Sequence, residues 1–205
     1  MEQTSQTDTG SEISYRYATT QDSAAIASYM CLAGDGLYEF LLDDLIPGFT
    51  AMEILKWTVG ILDSPLSYKN CFVAVDTDNN EMAGLINLFP ADLLREQDLR
   101  LINTQRWQFL EPVFSLQDRG SLFINSLAVG SKWRQCGIGG RLLDHSLEQA
   151  KSEGYHRVSL HVWSDNLHAI SFYEKRGFVT VDTVTLPDHP EFRGKTNSIL
   201  MHREV

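Results

Sequence analysis

The sequence predicts a mixed α/β fold, in which helices flank one central sheet. Two observations predict this class. Apolar runs of strand length recur along the chain, and segments with apolar residues at helical spacing lie between several of them. Composition does not change abruptly along the 205 residues, so we expect a single domain over residues 13–205. Residues 1–12 are almost free of apolar side chains, so we expect them to form a disordered tail.

The chain is predicted to open with a strand followed by three helices. Residues 13–18 have strand character, and Thr20–Asp22 offers capping side chains ahead of a helix that carries the apolar residues of 24–30. Two further helices are expected within 37–45 and 51–62. An Asp-Ser-Pro sequence ends the third of them, because the residue before a proline disfavours helix.

A hairpin and an irregular segment are predicted next. Cys71–Asp76 and residues 82–89 are apolar and β-prone, and the four residues between them, 77–80, are typical of a turn. The segment 90–120 is polar and partly helical, with Asp92 expected to cap a helix that runs through Leu101.

The second half of the chain alternates strands with helices. Strands are predicted over Leu122–Val129, 158–162, 178–186 and 197–203. The first of these is nearly all apolar, as expected of a strand that is covered on both faces. Helices are predicted from Gly137 to a stop at Gly154, and from a cap at Asn166 to a stop at Gly177.

Charge and composition exclude several classes of protein. The formal net charge is -10 and the pI is about 5.0, so nucleic acid and anionic membrane would both be repelled. No apolar run approaches the roughly 18 residues of a membrane span, and no signal peptide is evident, so we expect a cytoplasmic protein. Three scattered cysteines favour reduced thiols, and no histidine or cysteine spacing indicates a metal site.

A glycine-rich segment carries the chemical signal. Residues 127–140 lead from a buried strand through a loop directly into a helix, with glycines at 137, 139 and 140. Bare backbone N–H groups and the positive end of the helix dipole can bind phosphate there, and Arg134 can add a charged contact. Close packing of a helix on a sheet also requires glycine, so this segment alone leaves a structural role open. The spacing matches neither a P-loop nor the dinucleotide fingerprint G-x-G-x-x-G.

Three motifs resemble the GNAT N-acetyltransferase superfamily. Arg134-x-x-Gly137-x-Gly139 is similar to the R/Q-x-x-G-x-G/A signature of that family. The family's second cofactor motif is similar to the segment Asn166-x-x-Ala169-x-x-Phe172-Tyr173-Glu174-Lys175-x-Gly177-Phe178. Its opening strand and helix are similar to Ile13-x-x-Arg16-x-Ala18-x-x-x-Asp22. The resemblance implies the GNAT fold, a mostly antiparallel sheet with two splayed parallel strands at 122–129 and 158–163.

The resemblance also implies an acetyl-CoA-dependent transferase without a metal. Its cofactor residues would be Leu127, Ala128, Val129, Arg134, Gln135, Cys136, Gly137, Ile138, Gly139, Gly140, Asn166 and Phe172. In that scheme the backbone of 127–129 pairs with the pantetheine arm, which Asn166 also contacts, and the loop encloses the pyrophosphate. Tyr173 would be the general acid that protonates the CoA thiolate. Cys136 is interpreted as a small filler residue of the loop, although a nucleophilic role is open.

The acceptor is the part that the motifs leave open. We expect a primary amine, and Asp35, Glu39, Asp43 and Asp44 would favour a cationic one at the entrance. The last three are candidates for the general base, with water chains as an alternative. Two other functions stay possible, an acyl-CoA-binding module without turnover and a transferase for a longer acyl group. The oligomeric state is also open, a homodimer included.

Overall fold

The computed structural model describes residues 12–95 and 104–205. The strands are β1 (Ile13–Tyr17), β2 (Cys71–Asp76), β3 (Met82–Pro90), β4 (Leu122–Val129), β5 (Arg157–Trp163), β6 (Val179–Thr185) and β7 (Asn197–Glu204). The α-helices are α1 (Ser23–Gly34), α2 (Leu37–Leu42), α3 (Ala51–Gly60), α4 (Thr104–Ser115), α5 (Ile138–Glu153) and α6 (Leu167–Glu174).

All seven strands belong to one sheet, in the order β1-β2-β3-β4-β5-β7-β6. Each pair of neighbours is antiparallel except β4 and β5, which are parallel. A parallel pair needs a crossover, and α5 provides it between these two strands. The predicted mixed α/β class and the mostly antiparallel sheet are therefore confirmed.

The predicted hairpin is present between β2 and β3. The Asp76 carboxylate accepts a hydrogen bond of 3.0 Å from the backbone N–H of Asp78, and Asn80 adopts a left-handed φ of 57°. Both features are favourable for Asp and Asn in turns, because their short polar side chains bond nearby backbone groups. The turn chemistry in the sequence thus identified the correct pair of strands.

Helices cover both faces of the sheet. On one face α5 buries the apolar residues that the helical period predicts, among them Leu142 and Leu143, which are 0% exposed. Gly84 on β3 allows this close approach, because a Cβ there would lie 2.9 Å from Ile138 Cγ2. On the opposite face α1 and α3 pack together over β2 and β3, with Met30 among the fully buried side chains.

The start of α1 differs from the sequence prediction. Thr20–Asp22 forms a 3-10 turn, and Asp22 at its end is the N-cap residue of α1 but makes no side-chain cap hydrogen bond to that helix. Thr19 is the residue that caps this turn, and its backbone N–H donates to Asp22 Oδ2 at 2.7 Å. The same carboxylate pairs with Arg16 at 2.8 Å, and the hydrogen bond from Arg16 holds the pKa of Asp22 below its usual value.

The segment 90–120 departs most from expectation. Asp92 lies inside a 3-10 helix, Ala91–Arg95, and accepts a hydrogen bond from the N–H of Gly120. It therefore does not cap a helix there, and the rest of the helix predicted to reach residue 101 lies outside the described residues. The distinct helix α4 contains Pro112, a residue that disfavours helix interiors, so the sequence did not single it out.

The predicted tail also lies outside the described residues, except for Glu12. The carbonyl of Glu12 accepts a hydrogen bond of 2.9 Å from the N–H of Thr77, which extends the contact between β1 and β2. Among the helices of the described residues, none has both the length and the apolar character needed to cross a membrane.

Candidate active site

The central feature of the site is the divergence of β4 from β5. The two strands pair only at Leu122↔Val158, Phe123↔Ser159 and Ile124↔Leu160. Beyond these pairs β4 continues to Val129 and β5 to Trp163 without pairing to each other. Within the described residues, the backbone of 125–129 that faces β5 has no strand partner, so the sheet contains an open wedge.

A β-bulge at Asn125 accounts for the divergence. Opposite β3, Ser126 pairs with Asn87 and Ile124 pairs with Leu88, so Asn125 is an extra residue in β4. Bulges bend the strand that carries them. Nδ2 of Asn125 donates to Tyr38 Oη at 2.9 Å and to Asn87 Oδ1 at 3.0 Å, which fixes the bulge to α2 and β3.

A cavity of about 130 Å³ occupies the wedge and passes between the two faces of the sheet. Asn166, Ala169 and Tyr173 line it from the side of α5 and α6. On the other side its walls come from the turn between α1 and α2 and from α4, with an aromatic wall on β5. Its side chains on this second side are Ala33, Leu37, Val113, Phe114 and Trp163. Among the described lining residues His161 is the single titratable group besides Tyr173.

Tyr173 lies on α6 with its side chain directed into the cavity. The residue is 8% exposed, and its ring packs against Phe172 and Phe178 with centroid distances of 5.2 and 5.6 Å. Burial raises the pKa of Tyr173 above its usual value, so the phenol is protonated at neutral pH. Among the described residues no protein group hydrogen-bonds this hydroxyl, which leaves its proton available to a ligand.

His161 lines the same cavity, a position that the sequence did not indicate. Its Nε2 lies 2.8 Å from the carbonyl oxygen of Leu116, which can only accept a hydrogen bond. Nε2 therefore carries the proton, and Nδ1 accepts from the Ser198 hydroxyl at 2.9 Å. Burial lowers the pKa of His161 to about 4, so the imidazole is neutral at pH 7. These two bonds give the imidazole a structural role between β7 and the segment after α4.

The glycine-rich loop lies at the α5 end of the wedge. Its backbone turns twice into the left-handed region, at Gln135 with φ 66° and at Gly137 with φ 80°. For glycine this conformation is free of strain, whereas for Gln135 it costs on the order of 1 kcal/mol. Arg134 and Cys136 are exposed on this loop. The free N–H groups of the first α5 turn follow at once, as an anion site requires.

The predicted cofactor residues thus meet from two motifs. A Cβ added to Gly139 would lie 3.5 Å from Phe172 Cζ, so α6 packs directly on the first turn of α5. Leu127 and Asn166 both line the cavity, and Ala128 and Val129 follow Leu127 along β4. The side chain of Asn166 caps α6, because its Oδ1 accepts from the N–H of Ala169 at 3.1 Å. That bond leaves Nδ2 of Asn166 as the group that could bind a ligand.

An open groove borders the start of α5. It is lined by Ile13, Tyr15, Cys136, Gly137, Ile138, Gly140, Arg141, Asp144 and Arg176. Cys136 therefore lies on this groove and not on the cavity that Tyr173 lines. Arg176 lies just before the predicted helix stop at Gly177, and only the fold shows that it borders this groove.

The acidic residues expected at an entrance line a second groove. Asp35, Glu39, Asp43 and Asp44 share it with a fifth acid, Glu191, and with the cations Arg106, Arg193 and Lys195. The Lys195 ammonium pairs with Asp35 at 2.5 Å and with Asp165 at 2.8 Å. Burial alone would lower the pKa of Lys195, but these two carboxylates raise it above the usual value. The groove therefore has mixed charge and is less acidic than the sequence suggested.

Comparison with known proteins gives one family. The model of the acetyltransferase (GNAT) family matches residues 37–178. N-alpha-acetyltransferase 50 of Danio rerio is 35% identical over 68 residues, which are 33% of this chain and 40% of that protein. The probable N-acetyltransferase san of Drosophila melanogaster is 37% identical over 68 residues, 33% of this chain and 37% of that protein. The match thus spans about two fifths of the length of these relatives.

Solved structures have the same fold at low sequence identity. A mosquito arylalkylamine N-acetyltransferase-like protein (5b) is 14% identical, with a TM-score of 0.68 over 95% of this chain and 100% of that one. An N-acetyltransferase from Staphylococcus aureus Mu50 is 17% identical, with a TM-score of 0.67 over 93% of this chain and 100% of that one. At these identities the likeness establishes the fold.

The pKa of His161 predicts a pH dependence of stability. The folded pKa of about 4 lies below the unfolded value of 6.5, so the unfolded chain binds the proton first as the pH falls. Stability from this group is present above pH 6.5 and is lost toward pH 4, with a slope of up to about 1.4 kcal/mol per pH unit. We expect His161→Gln to reduce the pH dependence of the unfolding free energy, measured by urea titration between pH 4 and pH 6.5. His156→Gln, at an exposed histidine, should leave the slope unchanged, and equal slopes in both variants would contradict the assignment.

Proposed function

This chain belongs to the acetyltransferase (GNAT) family, and we propose on that basis that it transfers the acetyl group of acetyl-CoA directly to a primary amine. The family membership confirms the resemblance seen in the motifs at 134–139 and 166–178. One observation supports the proposal above the others. A wedge between parallel strands has a phosphate-type loop at one end and a buried, protonated phenol in its wall.

The wedge is suited to the long axis of the coenzyme. The unpaired backbone of 127–129 can hydrogen-bond the pantetheine amides as an added strand would. The N–H groups of 135–140, together with Arg134, can hold the pyrophosphate at the start of α5. We assign the remaining contacts to Asn166 through Nδ2 and to Phe172, which packs beside Gly139.

The proposed reaction proceeds without an enzyme-bound acyl intermediate. The neutral amine attacks the thioester carbonyl, and a backbone N–H near Val129 stabilises the oxyanion of the tetrahedral intermediate. The intermediate collapses, the C–S bond breaks, and the CoA thiolate takes the proton of the Tyr173 hydroxyl. The amide nitrogen releases one proton to solvent, from which the tyrosinate is reprotonated, so the net products are the amide and CoA thiol.

The cavity also limits what can react. Its volume of about 130 Å³ is close to the roughly 150 Å³ that holds one benzene molecule, which favours acetyl over longer acyl groups. No carboxylate is among its described lining residues, so an ammonium would be poorly solvated and the amine should enter in neutral form. Glu39, Asp43 and Asp44 lie on the neighbouring groove, and the low pKa of His161 makes it a weak base. We therefore propose that water carries the amine proton away.

Residues 13–205 are proposed to act as one domain, in the cytoplasm. The cofactor and acceptor sides of the wedge are built from elements of both halves of the chain, which supports a single unit. The three cysteines are free thiols, as is usual in a reducing compartment.

Turnover distinguishes the enzyme from a binding module. Acetyl-CoA binding is measured by isothermal titration, and CoA thiol release is followed with aryl-alkylamines, diamines and short peptides as acceptors. We expect thiol release with a stoichiometric acetylated amine in mass spectra, and slower reaction with propionyl- and succinyl-CoA. Binding without thiol release for every amine would favour a non-catalytic module, and preference for succinyl-CoA would favour the longer-acyl alternative.

Tyr173→Phe removes the proposed acid with little change in volume. We expect turnover to fall about 10²-fold or more, as is typical for loss of a general acid. Affinity for CoA should stay within about twofold, because the hydroxyl contacts only the thiol end. Tyr155→Phe, on a half-buried tyrosine after α5, is the matched control. Near-normal turnover of Tyr173→Phe would remove this residue from the mechanism.

Gly139→Leu tests the loop. A Cβ at 139 meets only ordinary contacts at 3.5 and 3.6 Å, so Gly139→Ala should fold normally and bind CoA nearly as well. The longer leucine would occupy the space where phosphate approaches the backbone, and we expect CoA affinity to fall about tenfold or more. Melting temperature serves as the folding control. Unchanged affinity of the leucine variant would show that the pyrophosphate does not bind at this turn.

A further inference from the structure

The side chain of Arg176 is held by two contacts with Phe172 on α6, and its backbone by a third contact with β7. Its guanidinium carbon lies 3.9 Å from the centroid of the Phe172 ring, and its Nη1 donates to the Phe172 carbonyl at 3.4 Å. The backbone carbonyl of Arg176 accepts a hydrogen bond from Arg203 at 2.6 Å. The side chain thus has a defined place at the edge of the groove, and is not a free surface arginine.

The absence of a side chain at Gly140 makes this place possible. A Cβ at position 140 would lie 2.8 Å from Nη2 of Arg176. Gly140 is the third residue of α5, so its backbone N–H is one of those without an intrahelical partner. The guanidinium therefore lies beside unpaired N–H donors at the start of the helix.

The charge of Arg176 is unfavourable there unless an anion is bound. Cations near a helix N-terminus are opposed by the helix dipole. Arg176 forms no ion pair within the described residues, although Asp144 lines the same groove. Arg141 adds a second cation, placed over the Tyr15 ring at 5.3 Å. In a chain with net charge -10, carboxylates are plentiful, yet this guanidinium is not neutralised by one.

We propose that Arg176 binds the pyrophosphate of the coenzyme from one side, while the N–H groups of the first turn of α5 bind it from the other. This inference rests on the proposed function, because it assumes acetyl-CoA in the wedge. One planar guanidinium group can bind two phosphate oxygens through two parallel N–H···O bonds. Stacking on the Phe172 ring fixes the plane of the Arg176 guanidinium. Phe172 thereby acts through Arg176, in addition to packing on Gly139.

Arg176→Ala is tested with CoA, 3′-dephospho-CoA and pantetheine as titrants. We expect CoA and 3′-dephospho-CoA to bind about 10- to 100-fold more weakly, by the same factor, since both retain the pyrophosphate. Pantetheine, which has none, should be unaffected. In kinetics KM for acetyl-CoA should rise while kcat stays near normal. Lys151→Ala is the control, because it removes one charge from the last turn of α5, where a cation is favourable.

Stability separates a ligand contact from a structural one. The melting temperature of the free Arg176→Ala protein should match that of the unaltered chain within about 2 °C, because an unfavourable charge is removed along with the stacking. The rise in melting temperature on adding CoA should shrink. A fall in the melting temperature of the free protein, with normal CoA affinity, would show a structural role and overturn the proposal.

Gly140→Ala gives a second, independent test. The added methyl displaces the guanidinium, so this variant should lose CoA affinity by the same route. In a double-mutant cycle the Gly140→Ala and Arg176→Ala losses should then be clearly less than additive. Full additivity would mean that Arg176 does not act from its place beside Gly140, which contradicts the proposal.

The possible failures are distinguishable. If the unaltered chain binds neither CoA nor 3′-dephospho-CoA, the proposed function is wrong. If it binds both and Arg176→Ala binds them equally well, only the assignment of Arg176 is wrong. A loss confined to CoA would place Arg176 at the 3′-phosphate and overturn its assignment to the pyrophosphate.

Discussion

One extra residue in β4 determines the geometry on which the site depends. The bulge at Asn125 turns the strand away from β5 after three pairs, and it is held by hydrogen bonds to Tyr38 and Asn87. Without the bulge, regular pairing would consume the backbone groups of 125–129 and close the wedge. The buried Asn87, 0% exposed, is thus a structural element of the site, because an unpaired amide there would carry the full cost of desolvation.

Positive charge is concentrated around the start of α5, although the net charge of the chain is negative. A coenzyme with several phosphates is repelled at long range by a protein of net charge -10. Arg134, Arg141 and Arg176 are all found around the start of α5, where the helix dipole has the same positive sign. This local reversal allows an acidic protein to attract an anion to one place, while the cavity nearby carries no charged side chain among its described lining residues.

The sequence predicted what depends on local pattern. The β2–β3 hairpin followed from its turn, and α5 followed from apolar spacing between Gly137 and Gly154. The bulge at Asn125 did not, since it exists only as a mismatch of register with β3. Arg176 could not be placed beside Gly140 from spacing alone, because the contact joins two helices. The segment 90–120 was predicted to be partly helical, but α4 was not located within it because Pro112 lies inside that helix. The loop and Tyr173 were predicted through family motifs, whereas the cavity position of His161 emerged only from packing.

A single ammonium connects three distant parts of the chain beside the groove that Glu39 and Asp43 line. Lys195, 9% exposed, joins Asp35 after α1 to Asp165 before α6, from its own position between β6 and β7. Neutralising that one amine would leave two carboxylates without their shared counter-charge and would loosen all three turns together. The rim of this groove is therefore a cooperative unit. Because one buried charge serves all three turns, a change at any one of the three positions would be felt at the other two.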